Sequence, residues 1–335
     1  MKRNFIRLLL VPVLISLFYA CGNRNSQKYE GMPQELMELS KQIDKNPKDD
    51  KLYYQRAAYY YENSKIEEAI ADILVSLRLN PENSTYYVLL SDLYFAQKET
   101  DLTEESLEKA IALDPQNNEA RLKLAELYFH LKMLEECHQV LDKAVELQPH
   151  NPKAHLIRAF SLKDQRDTLG YLRMLQLTVD QDPREVKAFL ELGYFYQQSL
   201  NPLAINYYTN ALLVDPQNIE INYNLAKLYQ DLGDFEKANE QYKILLQIRP
   251  NNKYALNNLG YIKLVHEDQY EEAVSYFTRA IEQDSLFVNA ICNRGIAFVL
   301  LEDYDHARQD FLHCRTIDPL FEPAIDELNK LDNLK

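Results

Sequence analysis

The stretch "ALDPQNNEA" (Ala112–Ala120) returns almost unchanged as "LVDPQNIEI" (Leu213–Ile221). Its proline belongs to a longer series, because a residue in the same slot recurs every 33 to 35 positions along the chain. The series is Pro47, Pro81, Pro115, Pro149, Pro183, Pro216, Pro250, Ser285 and Pro319. A fixed period of this size predicts an array of equal structural units. The two similar phrases therefore lie three units apart.

Each period has the pattern of two helices. In the first complete period Tyr53, Ala57 and Tyr60 fall at helical spacing, "ENSK" interrupts the pattern, and a second helical run begins at Ile66. The run ends before Pro81, because the residue ahead of a proline is pushed out of the α region. Two helices of about twelve residues with loops of about four fill such a period. The low glycine content, 7 residues in 335, also favours helix.

Small residues recur at one position of every first helix. Counted from the start of each period, position 8 is Ala57, Ser91, Ala125, Ala159, Gly193, Ala226, Gly260 and Gly295. Alanines recur at position 20 of the second helix, and large residues at position 11 of the first, namely Tyr60, Tyr94, Tyr128, Tyr196, Tyr229 and Phe298. We infer that small side chains let the paired helices approach closely and that neighbouring repeats share one continuous core.

This spacing resembles the tetratricopeptide repeat family, which has small residues at positions 8, 20 and 27, an aromatic residue at 11 and proline at 32. The chain departs from it in having no Trp at position 4, in Tyr171 at position 20 of repeat four, in a residue lost near "QSLNP" and in one gained near "HEDQY". The resemblance implies an all-α fold, a right-handed α-solenoid superhelix of about eight helix-turn-helix repeats.

We place the tetratricopeptide repeat domain at residues 33–335. Repeats one to eight are predicted at 50–83, 84–117, 118–151, 152–185, 186–218, 219–252, 253–287 and 288–321. Residues 33–49 are predicted to form an N-terminal cap helix, and residues 322–335 a C-terminal cap helix.

The first twenty residues are predicted to be a lipoprotein signal peptide. "MKRNFIR" is basic, and the apolar run "LLLVPVLISLFYA" is shorter than the roughly 20 residues that span a bilayer. "FYAC" resembles a bacterial lipobox, in which Cys21 would carry the lipid, although Phe18 and Tyr19 depart from the usual residues. An uncleaved anchor or cleavage nearby is the alternative. Residues 21–32 are predicted to be a polar tether.

The resemblance extends to the tetratricopeptide lipoproteins of bacterial envelopes, of the kind found in Bacteroidetes. It implies a lipid-anchored protein of the cell envelope, in the outer membrane and facing the periplasm, with exposure on the cell surface left open. The membrane would then be a partner through the N-terminal lipid alone.

The sequence offers no sign of catalysis. It contains no Walker loop, GxSxG, HExxH or GxGxxG motif, and its seven histidines lack metal-ligand spacing. We therefore expect no enzyme activity, no cofactor and no metal site. The net charge of −14 argues against nucleic acid as a partner, since phosphate binding needs a basic face.

The cysteines give no disulfide pattern. Cys137 and Cys314 occupy positions 20 and 27, where the family has alanine, and are expected to be small packing residues. Cys292 stands at position 5 and is expected to be the most accessible thiol.

A peptide-binding face is predicted on repeats five to eight. Position 6 of the last three repeats is Asn224, Asn258 and Asn293. A primary amide both donates and accepts, so it can hold a peptide backbone. The three residues resemble the asparagine ladder in the tetratricopeptide superhelix of O-GlcNAc transferase. Nearby, Tyr194, Tyr223 and Tyr261 offer flat apolar surface. The alternative is that the asparagines are solvated or cap neighbouring turns.

Two classes of function remain open. The first is a non-enzymatic scaffold that binds a peptide or protein partner in its concave groove. The second is a receptor or accessory factor for glycans or cell-wall polymers. The absence of Trp weakens the second, because sugars stack well on indole rings. On the ladder hypothesis, each Asn→Ala change should weaken binding while stability hardly moves.

Overall fold

The computed structural model describes residues 29–333, which form helices and no strands. The 18 helices of the described residues are α1 (Gln34–Lys45), α2 (Asp50–Glu62), α3 (Ile66–Leu79), α4 (Ser84–Ala96), α5 (Thr100–Leu113), α6 (Asn118–His130), α7 (Leu134–Leu147), α8 (Pro152–Asp164), α9 (Thr168–Gln181), α10 (Val186–Gln197), α11 (Leu203–Val214), α12 (Ile219–Asp231), α13 (Phe235–Ile248), α14 (Lys253–Val265), α15 (Tyr270–Gln283), α16 (Val288–Leu300), α17 (Tyr304–Ile317) and α18 (Glu322–Asp332). The predicted all-α, α-solenoid class is confirmed. The predicted signal peptide and Cys21 lie outside the described residues.

The chain divides into two compact units, the first ending at His150 and the second beginning at Asn151. The first unit contains α1 to α7, and the second contains α8 to α18. In each unit successive helices pack as antiparallel neighbours joined by short turns, and each helix pair falls within one predicted period. The core is therefore built from local contacts, as expected for a repeat protein.

The recurring phrase of the sequence is a helix start. Asn117 and Asn218 each precede a first helix, and their side chains accept hydrogen bonds from the backbone N–H of Ala120 and Ile221. Such a cap satisfies one of the N–H groups that the first turn of a helix leaves unpaired. Asn83, Asn151 and Asn252 cap first helices in the same way.

A left-handed residue marks the turn between the two helices of each repeat. The residues with positive φ at these turns are Ser64, Lys98, Lys132, Arg166, Leu200, Gly233, Asp268 and Glu302. Only the sixth repeat uses glycine there, the residue that adopts this conformation without steric cost. The one-residue insertion of repeat seven shifts its turn residue to Asp268 by one place.

The insertion in repeat seven is organised around a buried lysine. Lys263 stands where six of the other repeats have an aromatic residue at position 11, and its Nζ lies 2.5 Å from Glu267 Oε2 and 2.7 Å from Gln269 Oε1. Glu272 Oε2 is 3.5 Å away. The lysine therefore ties the longer loop to the start of α15, and the repeat keeps its helix pair.

Position 8 is buried in all eight repeats, against a large residue of the second helix. A Cβ built on Gly193 would lie 2.5 Å from the ring of Tyr208, and one on Gly260 would lie 2.7 Å from the ring of Phe277. At Gly295 the ring of Phe311 would be 2.6 Å away. These glycines are required by close packing, since real Cβ atoms do not approach a ring so closely.

The size of the residue at position 8 and the size of its partner in the second helix both differ between repeats. Repeats one to four have Ala or Ser at position 8, and their partners in the second helix are Ile73, Leu107, Leu141 and Leu175. The three glycines instead face aromatic rings. Repeat six is the exception, since it pairs Ala226 with Tyr242.

An arginine staple fixes α1 against α2. Arg56 donates to both carboxylate oxygens of Asp72, at 2.5 and 2.7 Å, and to Ser40 Oγ of α1 at 3.1 Å. A bidentate pair of this kind is geometrically specific. The contact fixes the register of α1 on the first repeat.

The last repeat carries the same staple. Arg294 of α16 donates to both oxygens of Asp310 at 2.8 Å and to Thr278 Oγ1 of α15 at 3.2 Å. The sequence separations are 16 residues in every case, as for Arg56. Helix α1 therefore lies on α2 as the second helix of repeat seven lies on α16.

Candidate functional site

A row of aromatic rings runs across the first helices of repeats six and seven. The ring of Tyr223 lies 6.2 Å from that of Tyr254, and the ring of Tyr254 lies 5.6 Å from that of Phe287. The ammonium group of Lys253 stands over both Tyr254 and Phe287, at 5.0 and 5.4 Å from their centroids. Lys253 is also paired with Asp284 at 2.6 Å. This aromatic row is a series of edge-to-face rings with a fixed cation at its edge.

The predicted tyrosines differ in their exposure. Tyr194 on α10 is 53% exposed and Tyr261 on α14 is 37% exposed, whereas Tyr223 is half-buried beside Tyr242. Tyr254, which sequence reasoning did not select, is 50% exposed. Its place at position 2 of a first helix, four residues before Asn258 at position 6 and so on the same side of the helix, was the signal that could have identified it.

Two of the three predicted asparagines, Asn258 and Asn293, are joined by hydrogen bonds through Asn257, which was not predicted. Asn293 Nδ2 donates to Asn257 Oδ1 at 3.3 Å, and Asn257 Nδ2 donates to Asn258 Oδ1 at 3.2 Å. Asn258 Nδ2 then donates to the hydroxyl of Tyr242 at 2.7 Å. This amide chain links repeats six, seven and eight. The "NN" doublet at 257–258 was its sequence signal.

The buried end of the amide chain is the hydroxyl of Tyr242. Burial raises the pKa of this hydroxyl, so it stays protonated and donates to Gln230 Oε1 at 3.0 Å while it accepts from Asn258. Asn258 and Asn293 are themselves half-buried. Removing either amide would leave a polar group without its partner, which costs stability. This differs from the expectation that Asn→Ala changes would hardly affect stability.

Asn224 stands apart from the amide chain. It is half-buried on α12 and makes no side-chain hydrogen bond within the described residues. Its amide can therefore pair with a ligand without breaking an internal contact. The three asparagines consequently share a helical position but differ in how much of their hydrogen-bonding capacity is already used.

Cys292, which was expected to be the most accessible thiol, is buried like the other two described cysteines. Cys137, Cys292 and Cys314 are all buried and none of them forms a disulfide, and Cys292 is only 2% exposed. Cys292 belongs to an apolar cluster with Cys314 of α17 and Leu328 of α18. A hydrogen bond between the two thiols lowers the pKa of Cys292 and raises that of Cys314. Position 5 here points into the contact between helices and away from solvent.

The described residues contain neither a group of side chains suited to a metal ion nor a helix that could span a membrane. Within residues 29–333, no three His, Cys, Asp or Glu side chains come together in a way that could hold a metal ion. In the same part of the chain no helix combines the length and the apolar composition needed to cross a membrane.

Comparisons with known proteins agree with the fold. One family model described as tetratricopeptide repeat matches residues 94–159 and 196–259, and a second matches 254–285. The structure is similar to the C-terminal part of a tetratricopeptide repeat-containing protein from Cytophaga hutchinsonii, with a TM-score of 0.59 and 17% identity over 71% of this chain and 97% of that one. At this identity the likeness shows the fold alone.

Two curated relatives are similar over part of the chain. The probable UDP-N-acetylglucosamine–peptide N-acetylglucosaminyltransferase SPINDLY of Hordeum vulgare is 27% identical over 154 residues, which are 44% of this chain and 16% of that protein. The peroxisomal targeting signal receptor of Candida albicans is 27% identical over 118 residues, 34% of this chain and 20% of the receptor. The chain thus spans a fifth or less of the length of either relative.

The matched segments, the helix pairs and the small residues buried at position 8 have one common explanation. Residues 94–159 and 196–285 of this chain are tetratricopeptide repeats, within an array of helix pairs of the same kind.

Proposed function

We propose that the chain is a non-enzymatic interaction scaffold that binds an extended peptide segment of a partner on the first helices of repeats five to eight. Tetratricopeptide repeat proteins generally mediate protein–protein interactions. The observation that carries the proposal is the exposure of Tyr194 on α10 and of Tyr254 and Tyr261 on α14, two first helices of one unit. Tyrosine gives a large contact area with a polar tip, which suits a peptide ligand.

The amides support a peptide as the ligand. Asn224 has its donor and acceptor available, and the amide chain holds Asn258 and Asn293 in fixed orientations beside the aromatic row. Amides at successive repeats match the spaced N–H and C=O groups of an extended backbone. A glycan ligand is the second candidate, and it would use the aromatic row alone.

Photocrosslinking tests the binding face. A photoreactive amino acid at Tyr194 or Tyr261 should capture a partner in cells, whereas one at Leu213, which is 76% exposed on the second helix α11, should not. Tyr194→Ala and Tyr261→Ala should then weaken binding of that partner without lowering the melting temperature, because both rings are exposed. Equal capture from Leu213 would count against this face.

The asparagines give a sharper test once the partner is known. Asn224→Ala should weaken binding by roughly 0.5–1.5 kcal/mol, the net value of a hydrogen bond, with unchanged stability. Asn258→Ala should weaken binding and lower stability together, because its amide also serves Tyr242. Wild-type affinity in Asn224→Ala and in a triple variant with Asn258→Ala and Asn293→Ala would exclude the ladder. A polysaccharide retained in place of a protein would favour the glycan receptor.

We also propose that lipid at Cys21 anchors the scaffold to a bacterial envelope, in the outer membrane and facing the periplasm. The support is the basic start, the short apolar run and the lipobox-like "FYAC". Cys21→Ser should leave the precursor unprocessed or release the protein from membranes, as seen by fractionation and by the mass of the N-terminal peptide. A fully processed variant that still sediments with membranes would refute the anchor.

A further inference from the structure

Helix α1 packs as a second helix that lacks a first helix among the described residues. Its Ser40 meets Arg56 as Thr278 of α15 meets Arg294, with the same spacing along the chain. Helix α15 is covered by α14, its own first helix. Within the described residues no helix stands in the corresponding place beside α1.

The uncovered side of α1 borders a cavity of about 910 Å³ between α1 and α2. Leu39 and Glu35 line this cavity. In repeat seven the place of Leu39 is taken by Phe277, buried under Gly260, and the place of Glu35 by the buried Ala273. The cavity therefore corresponds to the space that a first helix fills in a complete repeat.

The cavity is acidic and aromatic. Glu35, Glu38 and Glu62 line it together with Tyr54 and Tyr59, and no Lys, Arg or His is among its lining residues. Where a covered second helix has alanine, α1 has the carboxylate of Glu35, so an ordinary apolar first helix would bury an unpaired charge there. An occupant that brings a cation removes this cost, and the tyrosine rings attract the same cation.

We propose that this cavity, in the first unit, receives a helix of a partner protein that presents an arginine or lysine to Glu35 and Glu38 and an apolar face to Leu39. A helix fits because the cavity corresponds to the place of a first helix, and a basic helix fits because the cavity is lined by carboxylates. A second copy of the chain fits poorly, because each copy carries a net charge of −14. The surface is independent of the binding face proposed on repeats five to eight.

Binding of a defined peptide tests the charge requirement. The probe is a helical peptide of about 16 residues, long enough for four turns, with an alanine and leucine face flanked by arginines. Its control has glutamine at each arginine. The purified full chain should bind the arginine peptide, more weakly as salt rises, and the control at least about tenfold less tightly.

Matched variants test the location. Glu35→Gln with Glu38→Gln should weaken binding about tenfold or more. Glu67→Gln with Glu68→Gln, which removes two exposed carboxylates from the first turn of α3 in the same unit, should leave affinity unchanged. Tyr194→Ala and Tyr261→Ala should also have no effect, which separates this surface from the other binding face. Equal affinity of the two glutamine variants would overturn the proposal.

Crosslinking identifies the occupant. A benzophenone amino acid at Tyr59, which lines the cavity, should crosslink the arginine peptide, and excess unlabelled peptide should compete. Crosslinks to residues 1–28 of the same chain would show instead that the chain covers its own cavity. A crosslinked dimer would show a second copy. Either result would overturn the proposal of a partner helix.

Discussion

At the scale of single residues, the turn between paired helices places one residue per repeat in the left-handed region. Gly233 has φ of 80° there, and no atom lies within 4 Å of a Cβ built on it. Leu200 holds the equivalent place in repeat five with φ of 52° and is largely exposed. The two sites therefore isolate the backbone preference from packing.

We expect Gly233→Ala to lower the free energy of unfolding by about 1 kcal/mol, because an L-residue pays a steric cost at positive φ. Leu200→Gly should have the opposite sign and a smaller size, since glycine relieves that cost but adds entropy to the unfolded chain. Urea unfolding followed by circular dichroism measures both changes. A neutral Gly233→Ala variant would contradict the assigned turn conformation.

At the scale of elements, the fit of a first helix to its second helix depends on one pair of volumes. Gly260 lies against the ring of Phe277, whereas Ala125 in repeat three has Leu141 as its partner. In both repeats the two side chains fill the contact between the paired helices, but the first helix and the second helix contribute different shares of the side-chain volume. An exchange of both residues together should therefore be tolerated better than an exchange of either one.

A double-mutant cycle tests this volume exchange. Gly260→Ala forces the added Cβ against a buried ring and Phe277→Leu leaves a void, so each should destabilise the second unit. The double variant recreates the pairing of repeat three and should show a favourable coupling of roughly 0.5–3 kcal/mol. The matched control combines Gly260→Ala with Phe311→Leu, the partner of Gly295, and should be additive. Additivity in both pairs would show that the two volumes are not coupled.

Helix pairs could be predicted from the sequence because their determinants are local. The proline slot, the Asn cap and the small residue at position 8 each act within one or two turns of the chain, and all three reappear in the structure. The amide chain could not be predicted in this way. Asn257, Asn258 and Tyr242 meet only because consecutive repeats pack side by side, and their partners are set by the angle between helices.

The burial of Cys292 is a second feature that the sequence did not predict. Its position was judged from the family's usual groove, but the cluster that buries it includes Leu328 of α18, a helix outside the repeat. The period of a single repeat contains no information about a neighbour that follows the last one. Burial at the end of an array is therefore the hardest part of such a fold to predict.

At the scale of the whole molecule, stability should be distributed among local contacts. The chain forms two compact units, and within each unit every helix packs on its neighbours in sequence. In such arrays the free energy of folding is close to a sum of repeat and interface contributions. Damage to one repeat should therefore remain largely local.

Overpacking in each unit tests this locality. Ala125→Leu in the first unit and Gly260→Leu in the second should each cost about 1–3 kcal/mol, because position 8 has no room for a larger side chain. Hydrogen exchange read by mass spectrometry should show lost protection near α6 and α7 for the former and near α14 and α15 for the latter, with the other unit unchanged. Uniform loss along the chain would indicate a single cooperative transition instead.

Repeats of similar sequence face a hazard during synthesis, because adjacent segments can exchange partners and become trapped. Where neighbouring repeats differ in the volumes of the position-8 residue and its partner, the core opposes such an exchange. At the helix spacing of repeat five, Ala159 would collide with the ring of Tyr208 if the first helix of repeat four met the second helix of repeat five. The spacing of repeat six, by contrast, accommodates Ala226 beside Tyr242. In the reverse swap, Gly193 would leave a hole above Leu175. Both errors lose packing that the correct hairpins keep. At the junction of repeats four and five, where the paired volumes change, the core thus favours the correct partner of each newly made helix over the one next door.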